Sequence, residues 1–171
     1  MMTTHNPLAV VSGASSGIGF ELARQFAGHG FDLLITAEDD RIETAAQQLR
    51  VSGVDVTTVQ ADLRDHDEVE RLYAAITATG RPVSAAALNA GVGRGGAFVE
   101  TDLVDELAVI DLNVTSTVHL AKRLLRDMVD RGEGRVLLTS SVASTMPGSF
   151  QAVYNASKSF LQCSRRRCRT S

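Results

Sequence analysis

Residues 10–19 read Val-Val-Ser-Gly-Ala-Ser-Ser-Gly-Ile-Gly, and this stretch decides the fold. It begins as an apolar, β-branched run and passes through small residues into a helical pattern with apolar positions at Ile18, Leu22 and Phe26. The order predicts a strand, a tight turn and a helix. The N-terminus of such a helix offers free backbone N–H groups and a partial positive charge, which suit a diphosphate. The turn alone does not separate nucleotide binding from a structural role.

The spacing of the glycines narrows the kind of ligand. It is G-x-x-x-G-x-G, which differs from the G-x-G-x-x-G of most dinucleotide folds. It is not a P-loop either, because no Gly-Lys-Ser/Thr follows. We take six loop residues as candidates for cofactor binding: Gly13, Ser15, Ser16, Gly17, Ile18 and Gly19.

The remainder of the chain repeats the strand–helix pattern. Strands are predicted over residues 8–12, 32–36, 54–59, 83–88 and 135–140, with helices between them. This alternation predicts an α/β fold of the Rossmann type, a doubly wound parallel sheet forming a single domain over residues 1–171. One long helix is predicted over 102–130 with a break near Glu106. Acidic pairs at Asp40/Glu43 and Asp65/Glu68 predict helix caps.

Composition excludes several classes of protein. With 44% hydrophobic and 22% charged residues, the 171-residue chain is typical of a globular domain. Its net charge of −3 gives no reason to expect a nucleic-acid partner. We expect no membrane span and no secretory signal, because neither an 18-residue apolar run nor a basic, apolar N-terminal region is present. The two cysteines form no disulfide framework, and the expected location is cytoplasmic.

Tyr154 and Lys158 carry the most specific chemistry. Residues four apart on a helix share a face, so the phenol and the ammonium would be neighbours. A phenol is a poor acid or base at neutral pH unless a nearby cation stabilises the phenolate. Tyr154 would then transfer a proton, with Lys158 tuning it and Ser141 hydrogen-bonding the substrate oxygen. Taken alone, the same spacing is more typical of a surface pair.

Six motifs occur in one order along the chain: Ser12–Gly19, Asp62-Leu63, Asn89-Ala90-Gly91, Asn113, Ser141 and Tyr154-x-x-x-Lys158. Together they resemble the short-chain dehydrogenase/reductase family over residues 8–162. Ser141 stands thirteen residues before Tyr154, as the catalytic serine of that family does. The resemblance implies NAD(P)-dependent hydride transfer to or from a small alcohol or carbonyl substrate, with Tyr154 as the proton donor or acceptor.

The resemblance also implies the parts that three motifs play. Asn113 would hold a water that links Lys158 to solvent as a proton relay. Asp62, beside Leu63, would contact the adenine, and the Asn89-Ala90-Gly91 turn would lie along the cofactor. From the residues alone, Asn113 could instead bond the backbone of a neighbouring strand, and Asp62 could simply cap a turn.

The end of the second strand bears on the choice of dinucleotide. Residues 36–40 read Thr-Ala-Glu-Asp-Asp, and three carboxylates disfavour a ribose 2′-phosphate. Glu38 could instead accept hydrogen bonds from the ribose hydroxyls. We therefore expect NAD or NADP, with NAD favoured, although Arg41 or Arg64 could bind a phosphate.

The last nine residues break the pattern. Residues 163–171 form a basic tail without an apolar face, where the family continues with further strands. We hypothesise a frameshift or sequencing slip near residue 163, with a natural basic tail as the alternative. The last strands of the family fold would then be missing, and the full-length form would be a homo-oligomer. The rival functional hypothesis is a truncated, catalytically defective nucleotide-binding fragment. Tyr154, Lys158 and the acidic balance disfavour a nucleic-acid or methyl-donor module.

Overall fold

A parallel five-stranded sheet forms the centre of the molecule in the computed structural model, which describes residues 6–167. The strands lie in the order β3-β2-β1-β4-β5, with helices on both faces. The predicted α/β, doubly wound parallel fold is therefore confirmed. The strands are β1 (Leu8–Ser12), β2 (Asp32–Ala37), β3 (Val56–Gln60), β4 (Val83–Leu88) and β5 (Arg135–Leu138).

The part of the chain that the structure describes contains six α-helices, which connect and flank these strands. The long helix predicted over 102–130 is interrupted, but at a π-helical segment, Asp111–Thr115, and not near Glu106. The last helix continues past Gln162, and residues 168–171 of the basic tail lie outside the described residues. The helices are α1 (Gly17–Gly28), α2 (Arg41–Arg50), α3 (His66–Ala78), α4 (Leu103–Ile110), α5 (Ser116–Arg131) and α6 (Ala152–Arg167).

The two predicted caps have different outcomes. The Asp65 carboxylate accepts a hydrogen bond from the Asp67 backbone N–H at 2.8 Å, so the cap of α3 is confirmed. The prediction for Asp40 is wrong, because its side chain makes no capping bond. The neighbouring Asp39 accepts from the Arg41 backbone N–H at 3.0 Å instead. In a run of acidic residues, the capping residue is therefore the one whose carboxylate faces the free N–H groups at the start of the helix.

Alternation along the buried strands divides the core into two layers, because successive side chains of a strand point to opposite faces. Val10 of β1 and Leu34 of β2 face α3 and α5, where Leu72 is fully buried. Val11 and Ile35 face α1 and α2. These continuous apolar strands are covered on both sides, as a parallel sheet requires.

Strand β5 lies at one edge of the sheet and is much more exposed than β1 or β2. Leu137 keeps 42% of its surface exposed, whereas Val10 and Leu34 have none. Within residues 6–167, no helix combines the length and hydropathy that crossing a membrane requires.

Candidate active site

The loops that follow the carboxyl ends of the strands enclose a cleft of about 890 Å³. Gly17, Gly19 and Asn113 are not among its lining residues; Gly19 and Asn113 are buried, whereas Gly17 is exposed in the turn. The structure brings thirteen of the predicted site residues together in the wall: Gly13, Ser15, Ser16, Ile18, Glu38, Asp62, Leu63, Asn89, Ala90, Gly91, Ser141, Tyr154 and Lys158.

The glycine turn after β1 lies in backbone contact with the loop after β4. A Cβ on Gly19 would lie 2.0 Å from the carbonyl oxygen of Gly13, and one on Gly13 would lie 2.9 Å from the Cα of Ala90. Ser12 joins the two loops, since its hydroxyl accepts from the backbone N–H groups of Asn89 at 3.0 Å and Ala90 at 3.1 Å. Only residues without a side chain allow this approach.

The N-terminus of α1 remains open toward the cleft. Ser16 precedes the helix in an extended conformation, and its side chain makes no capping bond. The first turn of this described helix has no acidic residue. Two buried side-chain oxygens at the cleft, Oδ1 of Asn89 and Oγ1 of Thr139, have no hydrogen-bond partner within the described residues. Unpaired donors and acceptors around a closely packed turn fit a phosphate-bearing dinucleotide.

The acidic rim at the ends of β2 and β3 is neutralised in part by two arginines. Arg41 contacts Asp39 through Nε at 3.0 Å and Nη2 at 2.8 Å. Arg64 bridges Asp62, at 2.7 Å, and Glu38, at 2.9 Å. Hydrogen bonds from the arginines hold the pKa values of Asp39 and Asp62 below their usual range. Asp62 also accepts from the backbone N–H of Arg64 at 3.0 Å, so it caps a turn while lining the cleft.

Lys158 is the buried cation of the site. Only 5% of its surface is exposed, and its Nζ donates to the Thr139 carbonyl at 3.1 Å. Burial lowers the pKa of the Lys158 ammonium. Nζ lies 5.8 Å from the centroid of the Tyr154 ring, so phenol and ammonium share one wall of the cleft.

Ser141 lies at the start of a short 3-10 helix, Val142–Ser144. Its hydroxyl oxygen accepts from the Ala143 backbone N–H at 3.2 Å. That bond holds the side chain but uses only a lone pair. The hydroxyl hydrogen therefore stays available to donate to an oxygen atom in the cleft.

Asn113, in the π segment, has no exposed surface and is fully engaged with neighbouring residues. Its amide accepts from the Val92 backbone N–H and donates to the Val92 carbonyl, both at 2.9 Å, and donates to Ser157 Oγ at 3.0 Å. Asn113 thus bonds the backbone of the loop that follows β4. The sequence had left open that it bonds the backbone of a neighbouring strand, and this arrangement is close to that alternative. A Cβ on Gly91 would lie 2.9 Å from Asn113 Oδ1 and 3.0 Å from Lys158 Nζ. The missing side chain of Gly91 therefore leaves room for these two groups.

Several residues of the cleft were not predicted as site residues. Gly93 packs against Tyr154, because a Cβ there would lie 3.3 Å from its ring. The density of glycines over residues 91–96 is a signal that could have found it. The contact of Thr139 with Lys158 has no such signal, because it is made by the backbone carbonyl, which any residue type supplies. The others include Asp39, Val92, Ser140 and Gln151.

Comparison with known proteins gives one family. Residues 7–169 match the sequence model of short chain dehydrogenases. The chain is 36% identical to the oxidoreductase UcpA of Salmonella typhimurium over 138 residues, covering 81% of this chain and 52% of that protein. It is 37% identical to 1-deoxy-11-beta-hydroxypentalenate dehydrogenase of Streptomyces avermitilis, covering 88% of this chain and 57% of that protein. The chain thus spans little more than half the length of these relatives.

Solved structures give the same fold. L-sorbose reductase from Gluconobacter frateurii, solved with NADPH and L-sorbose, superposes with a TM-score of 0.89 at 27% identity, covering 95% of this chain and 62% of that one. A short-chain dehydrogenase from Sphingobium yanoikuyae, solved with NADPH, has a TM-score of 0.88 at 31% identity, covering 94% of this chain and 64% of that one.

Proposed function

The chain belongs to the short chain dehydrogenase family, and from that premise we propose that its cleft serves the oxidation or reduction of a small alcohol or carbonyl substrate. One observation carries the proposal. Ser141, Tyr154 and Lys158 line the same cleft as the glycine turn, although 122 positions or more separate that turn from them in the chain. A nicotinamide dinucleotide, held by the glycine turn and by Asn89, supplies or takes up the hydride when bound.

The side chains divide the proton chemistry among them. The Ser141 hydroxyl donates to the substrate oxygen and holds it against the phenol. Tyr154 gives its proton to that oxygen in reduction and takes one in oxidation. The positive charge of Lys158 stabilises the phenolate form, and its burial in a low-dielectric wall strengthens that interaction. Asn113 bonds the backbone of Val92. We also propose that it holds a water that links Lys158 to solvent as a proton relay.

The preferred dinucleotide is a separate proposal. We propose NAD(H), because both rim arginines are already engaged with carboxylates and Glu38, Asp39 and Asp62 outnumber them. A 2′-phosphate would have to draw Arg41 or Arg64 away from these partners. The NADPH complexes of two relatives point the other way. Titration of the protein with NADH and NADPH, followed by nicotinamide fluorescence, decides between them; tighter NADPH binding would overturn the proposal.

The chain offers a matched control for the test of Tyr154, because it contains only two tyrosines. Tyr154→Phe should abolish turnover on a panel of alcohols and ketones while NADH binding persists. Tyr73→Phe removes a hydroxyl that bonds Asp127 at 2.9 Å and lines no part of the cleft, so its turnover should match that of the unaltered protein. Turnover that survives in Tyr154→Phe refutes the role of Tyr154. NADH binding without turnover in the unaltered chain would favour the rival function, a nucleotide-binding fragment.

We further propose that the protein self-associates through α4. Leu103, Leu107 and Ile110 are spaced for one face of that helix and are 38% to 69% exposed. Such a face is typical of an interface between subunits. Light scattering after size exclusion should give at least a dimer, and Leu107→Asp should shift it toward the monomer. A monomer at micromolar concentrations would contradict the proposal.

A further inference from the structure

Two histidines and a glutamate converge between α3 and α5, away from the cleft. His66 and Glu70 stand one turn apart on α3, and His119 comes from α5. One ligand atom from each lies within 4.8 Å of the other two. Among the described residues, this is the one group of three histidine, cysteine or acidic side chains that could hold a metal ion.

We propose that His66, Glu70 and His119 bind a divalent transition metal of the zinc type and clip α3 to α5. Two imidazoles and one carboxylate are ligands that zinc prefers, and water would complete a tetrahedron. Bonds of about 2.0–2.1 Å at tetrahedral angles place ligand atoms roughly 3.4 Å apart. Two adjustments would form this geometry. The His66 ring, with 71% of its side chain open to solvent, can rotate toward the ion, and the direct bond between His119 Nε2 and Glu70 Oε1 must give way so that the ion lies between these two atoms.

The packing of the rings brings His66 to the bonded pair of Glu70 and His119. The His66 and His119 rings stack with centroids 4.4 Å apart. Glu70 accepts hydrogen bonds from His119 and, at 2.7 Å, from Arg123. The stacking therefore places an exposed imidazole next to a carboxylate and a second imidazole, so that all three side chains can reach one ion.

The charges around the cluster are compatible with a bound cation. The Glu70 carboxylate already faces one positive charge, because Arg123 donates to it at 2.7 Å. Arg123 would stay bonded to the ligating carboxylate and orient it, as outer partners commonly do. Its positive charge weakens binding, while Asp67 beside His66, at 3.5 Å, offsets part of that effect.

Titration calorimetry with ZnCl₂ tests the proposal, and the site stands independently of the catalytic function. The full 171-residue chain is used after EDTA treatment, with Cys163 and Cys168 replaced by serine so that thiols do not bind the metal. We expect one Zn²⁺ per chain and no binding of Mg²⁺. At a hundredfold excess over Kd, the melting temperature should rise by about 5–10 °C.

Substitution of the exposed histidine makes the test specific. His66→Asn should weaken Zn²⁺ binding by on the order of tenfold or more, since losing a direct ligand costs at least as much as losing an outer partner. His29→Asn, on α1's C-terminal side, should leave the affinity unchanged. The exposure of His66 makes misfolding of its variant no concern, whereas His119→Asn touches a side chain that is only 15% exposed. Equal affinity in His66→Asn and His29→Asn, or no saturable binding at all, overturns the proposal.

Discussion

Replacing Gly19 by alanine tests whether the glycine turn depends on close backbone approach. An ideal Cβ at this position would lie 2.0 Å from the Gly13 carbonyl oxygen, and real Cβ atoms hardly ever come within 3.0 Å of another heavy atom. The two backbone segments must therefore separate by about 1 Å. Overpacking costs about 1–3 kcal/mol where flexible side chains can move. Here the obstacle is backbone, so we expect a loss of about 3–4 kcal/mol in the free energy of unfolding.

Two other glycines separate this steric effect from strain. Gly17 has a φ of 57° but open space around its Cβ position, so Gly17→Ala should cost only about 1–2 kcal/mol for the left-handed backbone. Gly28 has neither constraint, and Gly28→Ala should stay within about 0.5 kcal/mol of the unaltered protein. Urea titrations followed by far-UV circular dichroism give all three values. If Gly19→Ala is as stable as Gly17→Ala, close approach does not shape the turn.

Three further substitutions test the buried polar groups. Burial raises the pKa of Asp32, but hydrogen bonds, including one from Arg81 at 2.9 Å, outweigh it and hold the pKa below its usual range. The stabilisation that the ionised Asp32 carboxylate contributes is therefore present above the unfolded pKa of about 4 and is lost as pH falls through the folded pKa. Asp32→Asn should lower the free energy of unfolding by about 2–3 kcal/mol at pH 7, and by progressively less below pH 4, in urea titrations. Asn113→Leu leaves the Val92 peptide without its side-chain partner and should cost about 2–4 kcal/mol by the same measurement; an unchanged stability would remove the structural role of Asn113. Because the pKa of Lys158 is lowered in the folded state, keeping this residue protonated destabilises the fold. Lys158→Met should therefore raise the free energy of unfolding by about 1 kcal/mol at pH 7, and this increase should fade as pH approaches 10. A variant less stable than the unaltered protein at pH 7 would contradict this.

The strands could be predicted closely because their sequences leave little choice. β1 and β4 begin and end at the predicted residues, since each is a short apolar run bounded by polar residues or breakers. Helix ends were less predictable. Asp39 and Asp40 are equally good caps by type, and only the path of the loop after β2 decides that Asp39 faces the Arg41 N–H.

The site was predictable where it depends on side-chain chemistry and not where it depends on backbone. Ser141 and Tyr154 were predicted as site residues from residue type and spacing, and the fold brings them to one cleft. Thr139 was missed because its carbonyl, not its side chain, accepts from Lys158. The pairing of Arg64 with Glu38 was also beyond the sequence, because it joins loops 26 residues apart.

The π segment explains how Asn113 supports the cleft from behind, through its bonds to Val92, which lines the cleft. A π-helical turn inserts an extra residue into a helix, which rotates the residues after it relative to those before. Between α4 and α5, the turn lets Asn113 bond both the backbone N–H and the carbonyl of Val92. That peptide follows Gly91, whose missing side chain leaves room for Lys158 beside Asn113. The buried cation thus lies beside a residue that an irregular helix positions, and apolar periodicity cannot locate such an irregularity because the stripe continues on both sides of it.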